Sequence, residues 1–153
     1  MLDDLNLHIK AKRTTGQWVK GYYVRTNYNW HPFGIHNDWI INSSISNGGY
    51  FNVIGRYPID PKTICRYTGF DDVYEGDIVK WKSSDVAYYG VICYGEYLQM
   101  DGAATHNGFF IDWKYSDDGR SCLWLRNDFL YWFTHEQVEV IGNRFDHPGL
   151  LGG

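Results

Sequence analysis

Short runs rich in apolar, aromatic and β-branched residues recur along this chain. Stretches rich in glycine, asparagine and aspartate separate them. That is the signature of half-buried strands joined by tight turns. QWVKGYYVRT (Gln17–Thr26) is dense in aromatic and β-branched residues around one glycine. NDWIINSSI and GYFNVIGRYP flank SNGG (Ser46–Gly49). Asparagine and glycine there supply the positive φ of a tight hairpin at little steric cost. Pro58 and Pro61 mark a seam, and DPKTICRYTG follows it. GDIVKW and YYGVICYGEYLQM read as strands joined by the polar KSSD. NGFFIDWKY and SCLWLRNDFLYWF read as two more, separated by the turn SDDGR, and EQVEVIGNRF closes the series. Helical periodicity is weak. It predicts a short turn near Pro61–Ile64 and a last turn at DHPGLL, capped by Asp146.

Many short strands at regular spacing predict an all-β, compact, barrel-like fold with at most short helices. The expected organisation is one domain over 1–153, with a β-subregion at 1–60, an SH3-like small barrel at 65–141 and a tail at 142–153. Gly-Asp before two apolar residues, followed by a second strand opening on Gly-Val (YGVICY), is what carries the SH3-like expectation.

VYEGDIVKW (Val73–Trp81) poses a question of chemistry. Glu75 and Asp77 are two apart, so on a continuous strand both share one face. Paired carboxylates perform acid/base work only with a pocket and a second partner at a defined distance. The competing reading is structural. Gly76 permits a sharp backbone corner and Asp77 caps it by accepting nearby backbone N–H groups. The structural corner is the expectation adopted here, with a small hydrolase built on Glu75 and Asp77 as the minor alternative.

Composition narrows the classes. Hydrophobic residues make up 44% of the 153 residues and aromatics 18%, enough for a packed core. No apolar run reaches the roughly 18–20 residues of a membrane span, and acids stand where a signal peptide carries its basic region. A soluble, cytosolic protein with no membrane partner is expected. Cys65, Cys93 and Cys122 are far apart and odd in number, which argues against a disulfide framework or a zinc site. His31 and His36 with Asp38 match no standard metal spacing, so no metal is expected. No P-loop, GxGxxG or GxSxG is present, so no cofactor and no catalytic residues are assigned.

Charge changes the picture most. The formal net charge is −4, but residues 1–70 carry eight Lys/Arg against four Asp/Glu, whereas 71–153 carry six against fourteen. Between Asp4 and Asp38 there is no acid, and the window holds Lys10, Lys12, Arg13, Lys20 and Arg25. Such a split points to an anionic ligand for the basic half, or to head-to-tail assembly into a homo-oligomer. Aromatics interleave with these cations. In strands they are usually core, but NYNWHPFG is polar and broken by proline, which favours exposure of Tyr28 and Trp30. The predicted ligand-binding set is Lys12, Arg13, Lys20, Arg25, Tyr28, Trp30 and His31, with cations for phosphate and rings for a base.

YTGFDDVYEGDIVKW and VIGNRFDHPGLL resemble the signatures of the YopX family of bacteriophage and prophage proteins. That family usually shows Tyr-Thr-Gly-Leu, an Asp/Asn/Gly-rich turn and Tyr-Glu-Gly-Asp-Ile-Val. It ends on Val-Ile-Gly-Asn, an aromatic, and Asn-Pro-Glu-Leu-Leu. IKAKRTTGQWVKGYYV is similar to its N-terminal run, and GYFNVIGRYPIDPKTICRYTG to one branch of it. The turn after Gly69 is shorter here, and His147 and Gly149 stand where the family has asparagine and glutamate. The resemblance implies phage origin, residence in the bacterial host cytoplasm and a mostly β, barrel-like fold. It implies no mechanism. The leading functional expectation is a non-enzymatic accessory protein of host takeover or counter-defence, acting by binding a nucleotide-type anion or a host protein. A nucleic-acid-binding module is the alternative.

Overall fold

The computed structural model describes residues 8–25, 38–45, 51–98, 104–120, 122 and 126–152, with the backbone alone at 24–25, 38–45, 51–56 and 126. The chain divides into two compact units, Met1–Tyr67 and Thr68–Gly153. Each contains one antiparallel five-stranded sheet.

The first unit is built from β1 (His8–Lys12), β2 (Trp18–Arg25), β3 (Asp38–Ile45), β4 (Phe51–Pro58) and β5 (Cys65–Arg66), in the order β4-β3-β2-β1-β5. The β3–β4 pairing runs to Ile45↔Phe51, the hairpin expected around SNGG, whose turn residues lie outside the described ones. Burial in β1 alternates strictly. Ile9 and Ala11 are fully buried, while His8, Lys10 and Lys12 are partly exposed. Ile9 and Ala11 form a small core with Ile59, joined by Val19, Tyr23 and Ile64. The expected turn after Pro58 is present as a 3-10 turn, Pro61–Thr63, whose first free amide, that of Lys62, donates to Asp60 Oδ1 at 3.0 Å.

The second unit contains β6 (Asp77–Ser83), β7 (Val86–Leu98), β8 (Thr105–Ser116), β9 (Arg126–Asp128), helix α1 (Phe129–His135) and β10 (Val138–Asn143). Its sheet runs β10-β6-β7-β8-β9. The return of β10 to β6 is the step that begins closure of a small barrel. Among the described residues no ladder joins β9 to β10, so the sheet stays open and the expected barrel is not closed. The all-β class holds.

Two local expectations are corrected. The run SCLWLRNDFLYWF predicts a strand through Phe129–Phe133, but these residues are helical. Asp128 accepts the Tyr131 N–H at 2.8 Å and so caps the first turn. Phe129, Trp132 and Phe133, spaced i, i+3 and i+4, all pack on the core of Val79, Ile92, Ile111 and Trp113. Full burial of each large apolar side chain contributes roughly 1.5–3 kcal/mol, more than the modest strand preference of aromatics. The last turn is the 3-10 turn Pro148–Leu151, and Asp146 does not cap it. The residue at the cap is His147, which makes no side-chain capping bond. Asp146 is held instead by Asn143, whose Nδ2 donates to Asp146 Oδ2 at 3.1 Å and whose Oδ1 accepts the Asp146 N–H at 3.0 Å.

Candidate anion-binding face

The β1–β2 hairpin is closed by the turn Arg13–Gln17. The Arg13 N–H donates to Gln17 O at 2.7 Å and the Gly16 N–H to Arg13 O at 2.8 Å. Gly16 sits at φ 90°, a conformation that side chains other than glycine rarely adopt. This turn fixes the register His8↔Tyr22, Lys10↔Lys20 and Lys12↔Trp18. Directly opposed residues of an antiparallel pair share a face. The face opposite Ile9 and Ala11 therefore carries His8, Lys10, Lys12, Trp18, Lys20 and Tyr22. The Lys10 and Lys12 ammonium groups lie 5.5 and 5.4 Å from the centroid of the Trp18 ring, within cation–π range.

Arg13 falls on the other face, since it pairs with Ile59, a core partner of Ile9 and Ala11. Its guanidinium carbon lies 4.9 Å from the Tyr57 ring centroid, and its Nη1 donates to Gln17 Oε1 at 3.3 Å. Two open depressions adjoin it. One, of about 500 Å³, is lined by Lys12, Arg13, Thr14, Gly16, Asp60 and Pro61 among others. The other, of about 530 Å³, is lined by Arg13, Gln17, Trp18, Val19, Lys20 and Tyr57.

Of the seven predicted ligand residues, the structure brings Lys12 and Lys20 onto one face, while Arg13 lines the two depressions beside it from the other. Arg25 ends β2 opposite Asp38. Tyr28, Trp30 and His31 lie outside the described residues, as does His36. The predicted set lacks Lys10 and Trp18, and reading strand aromatics as core is what hides Trp18. The signal that finds them is the alternation of HIKAK itself, which puts its two lysines on the face away from Ile9 and Ala11.

The Glu75–Asp77 corner has a different character. Gly76 sits at φ 84°. Asp77 is only 2% exposed, and its Oδ2 accepts the Tyr74 N–H at 2.8 Å while its own N–H donates to Tyr74 O at 3.1 Å. The Gly76 N–H donates to Ile92 O at 2.8 Å, and Gly76 O accepts the Arg144 N–H at 2.9 Å. A carboxylate so buried and bonded to backbone meets no substrate as it stands, whereas Glu75 is half-buried. Two of the cysteines, Cys93 and Cys122, are tuned away from nucleophilic chemistry. Burial pushes the Cys93 thiol above its ordinary range, with Asp112 adding to the rise, and burial likewise raises Cys122. Among the described residues, no group of three or more His, Cys, Asp and Glu can hold a metal ion. None of their helices is long and apolar enough to cross a membrane.

This pair of β-units with a basic, aromatic strand face defines an all-β protein with a candidate anion-binding surface. The family model described as YopX protein matches residues 20–152, and the chain belongs to that family. No curated protein and no solved structure matches it. The match begins at Lys20, so β1, Arg13 and Trp18 all precede it.

Proposed function

We propose that this is a phage-encoded, non-enzymatic accessory protein that captures an anionic, nucleotide-type ligand on the β1–β2 face, in the service of host takeover or counter-defence. The phage context comes from the family resemblance. The binding reading is carried by one observation, the cross-strand pair Lys10↔Lys20, with Lys12 and Trp18 opposed beside it. An anion over the face meets the concentrated charge of Lys10, Lys12 and Lys20, and Trp18 offers a ring on which a base gains about 1–3 kcal/mol by stacking. These groups bind rather than transform, so capture without turnover is the reading.

Calorimetric titration with nucleotides and with a short single strand, at low and high salt, tests it. A small ligand neutralises few phosphates, so its affinity falls shallowly with salt, whereas strand binding falls steeply. The expected result is shallow dependence, with Trp18→Ala and Lys20→Glu both weakening binding. Undiminished binding by those two variants would place the ligand elsewhere. Steep dependence on a strand would favour the nucleic-acid module.

A further inference from the structure

We infer that Arg13 forms a second oxyanion seat, on the Ile9–Ala11 face of the first sheet, for a ligand that joins one carboxylate or phosphoryl group to an apolar body. The seat lies on the face opposite Lys10, Lys12 and Lys20 and is independent of the capture proposed there.

The depression of about 530 Å³ beside β2 is where the seat falls. Its volume is within the roughly 300–1,000 Å³ of small-molecule sites. Arg13 pairs with Ile59, and Tyr57 stands two residues before Ile59, so alternation puts both on the face of Ile9 and Ala11. Val19 pairs with Ala11 and packs on the same small core, and Gln17 stands two residues before Val19. Trp18 and Lys20 also border the depression, but they alternate with Gln17 and Val19 and project to the other face. The side chains that meet a ligand here are therefore a guanidinium, a carboxamide, a phenol ring and an apolar patch. Among the described residues no acid lines this depression. The depression on the other side of Arg13 contains Asp60, so an anion there meets a carboxylate.

The hydrogen bonding of Arg13 points to its ligand. Its guanidinium carbon lies over the Tyr57 ring, and its Nη1 donates to Gln17 Oε1 in an exposed, long bond of 3.3 Å. Its Nε is buried without a hydrogen-bond partner. A buried donor left unmet is costly. Nε and Nη2 form the edge on which a guanidinium meets two oxygens of one carboxylate or phosphoryl group side by side. A small turn of the side chain over Tyr57 brings that edge to the depression. It gives up at most the Gln17 bond and supplies Nε with a charged acceptor. The Gln17 amide then has its own N–H groups to donate to the same anion. Val19 and Tyr57 offer surface to the apolar part of the ligand. One guanidinium suits one oxyanion, not a polyphosphate.

The test is calorimetry on the full chain with benzoate, phenyl phosphate and uncharged benzyl alcohol, together with the NMR signal of the Arg13 Nε–H. Both anions are expected to bind and to move that signal, and the tighter of the two names the group the seat takes. Benzyl alcohol should bind at least about tenfold more weakly, for want of the charge-assisted bonds. Arg13→Lys keeps the charge but loses the fork, and should weaken both anions by at least about tenfold. Tyr57→Leu should weaken them severalfold, and Lys20→Gln should leave them unchanged. Melting curves on each variant confirm that it is folded. Undiminished binding to Arg13→Lys, or benzyl alcohol binding as tightly as the anions, overturns the seat. Binding that responds to Lys20→Gln and not to Arg13→Lys also overturns it and moves the anion to the β1–β2 face. If neither anion binds, the seat is wrong, while nucleotide capture by Trp18 and Lys20 stands or falls on its own titration.

Discussion

The backbone N–H of Tyr74 donates to the carboxylate of Asp77 over 2.8 Å, inside a corner where Asp77 is 2% exposed. The bond joins the segment that ends at Gly76 to the first residue of β6, and Tyr74 itself is almost fully buried. Removing the acceptor leaves the Tyr74 N–H unsatisfied away from water. Asp77→Ala is therefore expected to destabilise the protein by about 1–3 kcal/mol, whereas Glu75→Gln should change little. Thermal melts of the two variants check this. Equal melting temperatures for Asp77→Ala and the wild type would return the corner to candidacy as a chemical site.

Asp128 holds α1 to β7 as well as starting the helix. Its Oδ1 accepts the Tyr131 N–H, and its Oδ2 accepts the Tyr97 hydroxyl at 3.2 Å. Asp128→Ala should cost about 0.5–2 kcal/mol through the lost cap, with a further loss because Tyr97, 5% exposed, loses this partner. Asp128→Asn keeps one oxygen to accept the Tyr131 N–H, and its Nδ2 can donate to the Tyr97 hydroxyl oxygen, so it should recover most of the stability. Chemical denaturation of both variants measures the difference.

The elements legible in the sequence are those decided locally. The Gly-Asp corner was readable because Gly76, at φ 84°, and Asp77, capping within three residues, act on their own neighbourhood. The β3–β4 hairpin was readable for the same reason. The helix α1 was not, because Phe129, Trp132 and Phe133 are strand-prone residues recruited to a core assembled from β6, β7 and β8. Their i, i+3, i+4 spacing after Asp128 was the available signal. The candidate face was half legible. Charge points to Lys12 and Lys20, but only the register Lys12↔Trp18 shows that an aromatic from β2 joins them and that Arg13, paired with Ile59, falls on the other face.

Asp118 gives a pH-dependent turn. Its carboxylate is held below the usual range, first by the Ser116 hydroxyl donating to Oδ1, and further by the Arg120 backbone N–H and guanidinium, the latter 2.9 Å from Oδ2. A carboxylate whose value is depressed in the folded state contributes its stabilisation above the unfolded value, and that contribution is lost as pH falls through the folded value. The SDDGR turn should therefore stay ordered at neutral pH and loosen below the ordinary carboxylate range near about 4. Amide chemical shifts of Gly119 and Arg120 followed through an acid titration should show the transition. In Asp118→Asn the same resonances should be flat.

The charge split predicts salt-sensitive self-association. The second unit exposes Asp71, Asp72, Asp85, Asp117 and Asp118, and the first carries the Lys10, Lys12 and Lys20 face. Head-to-tail contact between copies through these surfaces weakens as salt shortens the screening length. Light scattering should report an oligomer at low salt that dissociates at high salt. A monomer at high protein concentration in low salt would exclude this assembly.

Two glycines on the β7–β8 ladder should respond to alanine with opposite signs. Gly90 pairs with Trp113, beside the register shift between Tyr89 and Gly90. A Cβ there would stand 2.9 Å from Ile111 Cγ2, 2.9 Å from Trp113 Cε3 and 3.0 Å from the Asp112 carbonyl oxygen. Ile111 and Trp113 are core residues, and the carbonyl belongs to the ladder, so none can yield cheaply. Overpacking of this kind costs typically about 1–3 kcal/mol. Gly108, paired with Gly95 further along the same ladder, has nothing within 4 Å of the position its Cβ would take. Alanine there adds no clash and reduces the freedom of the unfolded chain, a gain of about 0.4–1 kcal/mol. Paired melts of Gly90→Ala and Gly108→Ala should therefore fall on either side of the wild type. A Gly90→Ala protein as stable as the wild type would mean that β7 and β8 separate more easily at the Gly90–Trp113 pair than their packing implies.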